Sequence, residues 1–227
     1  GLVTTQASSL RPVDIGAAGG AFGSALAVGN VIGLSHADVL VGSPEADAGF
    51  IQNSGSVHLL VGNPTTVSTA NALHFDATAD GEFYQTNGRF GASLAVGDFF
   101  ADDGELDVVV GAPGRFDGKG ALSLARGGLL ALQWSGVFTP YANEENASYG
   151  FAVAAGDWDG DGDDDAAVGS PFTDISSINS GQVVIFFGTP AGFVGWTRYD
   201  EADCSAGYGT NSHMGSSLAF GRFGQGP

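Results

Sequence analysis

The chain has 227 residues, with 25 acids against 7 bases and a formal net charge of −18. That balance repels nucleic acid and anionic membrane surfaces and makes cations and cationic surfaces the natural partners. A single cysteine, Cys204, excludes an intrachain disulfide, and no apolar run approaches the ~20 residues that span a bilayer. Hydrophobic residues, at 43%, give ample material for a core, so general disorder is excluded as well. Thirty-eight glycines without a Gly-X-Y period exclude collagen and point to short strands joined by tight turns. The chain opens at Gly1 with no initiator methionine or signal-like segment, which reads as a processed or excised product.

In chain order, residues 2–17 read as the outer strand and exit loop of a structural unit. Phe22 then opens "FGSALAVGN", and the pattern returns as "FGASLAVGD" from Phe90, "YGFAVAAGD" from Tyr149 and "MGSSLAFGR" from Met214. Each of the first three copies is followed by a second element: "DVLVGSP" at 38–44, "DVVVGAP" at 107–113 and "DAAVGSP" at 165–171. A third follows, "GSVHLLVG" at 55–62, "GALSLARG" at 120–127 and "GQVVIFFG" at 181–188. A fourth, less regular apolar segment lies near 72–75, 129–134 and 193–196. All are short, rich in small or β-branched residues, and bounded by Gly, Pro, Asn or Asp, so each reads as a strand. Four strands per roughly 60–68 residues, repeated, predict an all-β fold of β-propeller blades. The blades span about 22–76, 90–138 and 149–200, with partial blade strands at 2–17 and 214–221, in one propeller region covering 1–227. Three blades do not easily close a ring, which implies further blades of a larger propeller or other chains completing it.

The aromatic-Gly pairs Phe22-Gly23, Phe90-Gly91 and Tyr149-Gly150, with Gly42-Ser43-Pro44, Gly111-Ala112-Pro113 and Gly169-Ser170-Pro171, resemble the FG-GAP repeat of integrin α-subunit propellers. The resemblance covers nearly the whole chain. It implies a propeller of commonly seven blades in which these motifs are structural, aromatic ring packing on proline, with no ligand role. It also implies that calcium is carried in the hairpin loop between a blade's first two strands.

One stretch carries chemistry. "DWDGDGDDD" at 157–165 gathers six aspartates, whose mutual repulsion calls for a cation. Carboxylates at loop positions 1, 3, 5 and 9 with glycine at 6 match the start of a calcium-binding loop, because calcium takes six to eight oxygens and the chain must wrap around it. Asp157, Asp159, Asp161 and Asp165 are expected to supply side chains and Asp163 its backbone carbonyl, while the side chains of Asp163 and Asp164 face water. Position 12 is Val168, in a strand, so the loop is not an EF-hand. The second copy is a less complete candidate, with Asp98, Asp103 and Asp107, Gly104 in place and one residue inserted. In the first copy Ile32 and Leu34 stand where oxygen ligands belong, so that loop closes on backbone bonds and substitution of Asp38 is expected to be mild. The fourth copy has Arg222 at position 1 and supports no site.

Catalytic patterns are missing: no phosphate loop, no Cys-x-x-Cys, no nucleophile elbow. His36, His58, His74 and His213 fall in unrelated contexts, and Ser43 and Ser170 belong to the repeat. Asn146-Ala147-Ser148 is a glycosylation sequon, meaningful only in a eukaryotic secretory pathway. The loops opposite the acidic ones carry Phe83, Tyr84, Tyr141, Tyr199 and Tyr208 among polar residues, a composition that suits sugar or protein recognition or else rings folded under their own loops. The reading is an extracellular, calcium-stabilised propeller module for adhesion or for binding a protein or carbohydrate ligand, non-catalytic itself. Two alternatives are the propeller portion of a secreted hydrolase or lyase and a structural subunit of a surface assembly or filament.

Overall fold

In the computed structural model the described residues are 20–33, 36–100, 104–129, 131–139, 145–175, 177–204 and 209–221, with the side chain of Asn71 excepted. They form three four-stranded antiparallel sheets, each a meander in chain order. The first holds β1 (Ala25–Gly29), β2 (Asp38–Ser43), β3 (Ser56–Gly62) and β4 (Val67–Asp76). The second holds β5 (Ser93–Gly97), β6 (Asp107–Ala112), β7 (Ala121–Arg126) and β8 (Gln133–Phe138). The third holds β9 (Ala152–Gly156), β10 (Asp165–Ser170), β11 (Gln182–Phe186) and β12 (Trp196–Asp200), and a 3-10 turn at Glu201–Cys204 follows. The all-β expectation therefore holds, and among the described residues no helix is long and apolar enough to cross a membrane.

Small residues decide how closely successive sheets approach. A Cβ on Gly42, Gly111 or Gly169 would stand only 2.1, 2.1 or 1.9 Å from the carbonyl oxygen of Gly91, Gly150 or Gly215, the glycine that follows Phe90, Tyr149 or Met214 at the start of the next copy. Gly91, Gly150 and Gly215 take φ near +86°, +82° and +87°, a region that glycine enters without steric cost. The glycines of both motifs are thus spacing elements at one sheet-to-sheet contact. Parallel bridges Gly55–Phe90, Gly120–Tyr149 and Gly181–Met214 join the same places.

Alternation along the strands then divides the core. Val108 and Val110 of β6 face the first sheet, where they meet Val57 and Leu59, whereas Val109 faces the third sheet with Leu122, Leu124, Ala166 and Val168. Period-two alternation in a strand buried on both faces sends successive side chains to opposite interfaces. Phe90 and Tyr149, 0% and 1% exposed, are wedged at the two interfaces.

Two expectations need correction. The segment 193–196 was expected to form the outer strand, but β12 starts only at Trp196. A turn closed by the bond from Gly192 N to Thr189 O turns Phe193 inward against Phe99, Phe138 and Phe186. Residues 214–221, read as an inner strand, carry one bridge at Met214 and no ladder, because no described strand lies beside them. Their Met214, Leu218 and Phe220 nevertheless cover Ala167, Val183 and Ile185 of the third sheet. Residues 2–17 lie outside the described residues.

Candidate metal centre

The meander places the β1–β2, β5–β6 and β9–β10 loops at one end of the sheets, together with the exits of β3, β7 and β11. One aspartate opens the second strand of each sheet, and all three are buried: Asp38 0%, Asp107 0% and Asp165 1% exposed. Asp38 Oδ2 accepts from Val31 N and Ile32 N at 3.0 and 3.1 Å, and its Oδ1 accepts from Gly62 N at 2.9 Å. Asp107 repeats this with Phe99 N and Phe100 N at 2.8 and 2.9 Å and Gly127 N at 2.9 Å. Asp165 takes Trp158 N at 2.6 Å and Gly188 N at 2.9 Å. A carboxylate is the one side chain that offers two acceptor oxygens to three amides, and bonds to a charged acceptor are worth about 1.5–3 kcal/mol each. This latch ties the loop to the exit of the third strand in every sheet, whatever else the loop contains. Asp38 is therefore not a mild position, as was expected, but a buried acceptor whose loss orphans three amides.

Among the described residues, only the third loop adds more acids around the latch. One group of three acids converges among them: Asp157, Asp159 and Asp165, with one carboxylate oxygen of each within 4.8 Å of the others. Ligands on opposite sides of a calcium ion at ~2.4 Å stand ~4.8 Å apart, so these three oxygens fit one coordination shell. Asp157 and Asp159 are exposed, and Gly162, at φ +104°, makes the turn expected of the sixth position. Burial is the main cause that holds the Asp165 carboxyl above the usual carboxylate value, and the nearby Asp159 charge adds to it, partly offset by the amide bonds. A cation beside the three oxygens would reverse that shift by favouring the ionised form.

Asp161 and Asp163 lie outside the group. The Asp161 carboxylate accepts from Asp163 N at 3.0 Å, as Asp159 accepts from Asp161 N at 3.2 Å, so each spans a local turn. Asp164, expected to face water, instead accepts from Asp98 N at 3.0 Å, and Asp164 N donates to Asp98 O at 3.1 Å. In the second loop Asp98 is half-buried and used in this loop-to-loop contact, Asp107 is the latch, and Asp103 lies outside the described residues. Sequence reasoning did not find the latch, although one signal was available: the aspartate opens the second strand even in the first copy, where the rest of the acidic loop is missing.

The aromatic candidates do not form one surface. Phe83 is 84% exposed, and Tyr84 is 39% exposed with its hydroxyl donating to Asp76 at 2.5 Å, which raises the Tyr84 pKa. Tyr199 belongs to β12 and packs on Trp158 of the acidic loop, centroids 5.7 Å apart, whereas Tyr84 lies in the connection between β4 and β5. Tyr141 and Tyr208 lie outside the described residues. Asn146 of the sequon is exposed at φ +64°, and Ser170 is buried with its hydroxyl donating to Ala147 O at 2.9 Å.

No protein-family model matches the chain. It is 33% identical over 162 residues, 68% of its length, to the phosphatidylinositol-glycan-specific phospholipase D of Rattus norvegicus, and 31% identical over 163 residues to that of Homo sapiens. It is also 33% identical over 111 residues, 48% of its length, to integrin alpha-M of Mus musculus. The chain spans about a fifth of the length of the phospholipases D, 19%, and 9% of the integrin subunit. The similarity to an integrin α-subunit agrees in kind with the repeat resemblance of the sequence motifs, at modest identity.

Proposed function

We propose that this chain is part of an extracellular, integrin-like β-propeller of FG-GAP type, non-catalytic itself, in which a structural calcium ion is held by the 157–165 loop. Its three four-stranded sheets are the blades, and further blades or other chains complete the ring. The observation that carries the calcium reading is the convergence of Asp157, Asp159 and Asp165 within 4.8 Å around a loop whose other acids repel one another. The ion supplies positive charge alone. The chain's part is to bring two exposed carboxylates to a buried one already fixed by Trp158 N and Gly188 N, so that β9 and β10 are clamped at their shared end. Recognition of a protein or carbohydrate ligand falls to the opposite loops, where Phe83 and Tyr84 are exposed. A second reading, the propeller portion of a secreted hydrolase, is favoured by the similarity to phosphatidylinositol-glycan-specific phospholipase D and assigns this chain the same calcium-stabilised, non-catalytic role.

Terbium is the test, since it takes calcium's oxygen ligands and Trp158 sits inside the loop as a sensitiser. Terbium emission excited through tryptophan should appear on titration, be displaced by calcium, and vanish in Asp159→Ala. No sensitised emission, together with a melting temperature indifferent to calcium, would refute the calcium site.

A further inference from the structure

The two inter-sheet clefts are built from equivalent positions and end differently. Trp134 of β8 pairs with Ala125, and Trp196 of β12 occupies the same register opposite Phe186. Trp134 packs against Phe75 and Phe90, centroids 5.9 and 5.7 Å away. The space beside it is filled by Arg115, 0% exposed, which is ion-paired with Asp80, bonded to Ala77 O, and stacked 5.2 Å from the Phe90 ring. In the third sheet Thr173 stands where Arg115 stands in the second, two residues after the motif proline. Its hydroxyl is already engaged by Ser170 and Gln182, at 2.7 and 3.3 Å, and a threonine does not reach across the cleft.

Among the described residues, the cleft between the second and third sheets is consequently open. It is a cavity of about 420 Å³ walled by Phe138, Phe186, Phe193 and Trp196, the last 50% exposed. This volume falls in the range of small-molecule sites, which combine apolar walls with a few placed polar groups. The buried ring of Tyr149 also lines it. The polar lining residues are Thr139, Gln182 and Arg198. In a chain with 25 acids and 7 bases, the described lining thus holds one cation and no acid. Arg198 pairs with Asp200 at 3.5 Å, yet its side chain remains 47% exposed, and a guanidinium has five donors.

We propose that this cleft binds a small aromatic carboxylate, with the ring among Phe138, Phe186, Phe193 and Trp196 and the carboxylate on Arg198. Charge complementarity selects the anion in spite of the net charge, because the nearest fixed charge on the lining is the guanidinium. The aromatic walls select a flat apolar body, since rings gain from edge and offset contacts beyond the area they bury.

Two fluorescent dyes test this on the whole chain: anilinonaphthalene sulfonate, which is anionic, and uncharged phenylnaphthylamine. Both should bind one site per chain and be displaced by phenylpropionate. Arg198→Gln should weaken the sulfonate about tenfold, the loss of one charge-assisted bond, and leave the neutral dye unchanged. Gly195→Leu, where an added Cβ meets only Phe187 at 3.7 Å, should obstruct the mouth and weaken both. Wild-type binding of both dyes by the two variants would place them elsewhere, as on the exposed Leu26 and Val28, and overturn the proposal. Independently of any variant, phenylpropionate at about 10 mM should raise the wild-type melting temperature, and no shift would overturn it too.

Discussion

The loops that lead into Asp38 and Asp165 open from the same place in the first and third sheets, after β1 and β9, and share one feature, a buried aspartate at the start of the next strand. Asp38 and Asp165 each receive amides from their own loop and from the exit of the third strand. They differ in what surrounds that latch. The first loop offers Val31 and Ile32 to the core, whereas the third offers Asp157 and Asp159 to solvent within 4.8 Å of the latch. Each of the three sheets thus carries the buried acid, and among the described residues the exposed acids are an addition made to one of them. A carboxylate common to all copies of a repeat is first a partner for buried amides, and a ligand only where others join it.

The largest effect should come from breaking the latch. Asp38→Ala and Asp107→Ala each leave three buried amides without an acceptor, at roughly 1–3 kcal/mol apiece, and should cost several kcal/mol in denaturant melts with or without calcium. A loss at Asp38 much smaller than at Asp107 would show that the first loop is held by other means. Next in size is calcium itself. If 157–165 is the site, saturating calcium at about 100 times Kd should stabilise the chain by about 2.7 kcal/mol, seen as a rise in melting temperature that a chelator reverses. Asp159→Asn should abolish that rise while changing stability in chelator little, since Asp159 is exposed. Equal losses in both buffers would make Asp159 part of the latch instead. Asp161→Ala should weaken the calcium response less than Asp159→Asn, its carboxylate lying outside the convergent group.

The smallest effect is on pH. The folded-state pKa of Asp165 is raised, chiefly by burial, so stability from this group is fully present below its unfolded value and lost as pH rises through the folded one. Bound calcium favours the ionised form and has the opposite sign. The calcium-induced rise in melting temperature should therefore shrink as pH falls from 7 toward 4, and a constant rise across that range would remove Asp165 from the ion's shell.

Much of this was legible beforehand because it is local. The repeated aromatic-Gly and Gly-Ser/Ala-Pro pairs, the turn residues and the β-branched runs specify short strands and their meander without reference to distant residues. The acidic loop announced itself through spacing alone, and Gly162 takes the turn that spacing demands. The outer strands were read less well, since β12 begins at Trp196 only because a turn directs Phe193 into the core.

Which carboxylates do what was settled by packing across the chain. Asp38 and Asp165 look alike in sequence to an exposed acid, and their burial depends on Gly62 and Gly188, more than twenty residues away. Asp164 reads as a solvated neighbour of the cage, yet it bonds the backbone of Asp98 in the β5–β6 loop. Nor does any local pattern distinguish Arg115, which fills one cleft, from Thr173, which leaves the next one open. Sequence by itself determined the first three strands of each sheet, their order and the acidic loop, because these follow from backbone preference and like-charge repulsion between near neighbours. The tertiary structure alone decided the latches, the loop-to-loop contact and the open cleft, because each depends on which distant groups the sheet-to-sheet glycines allow to meet.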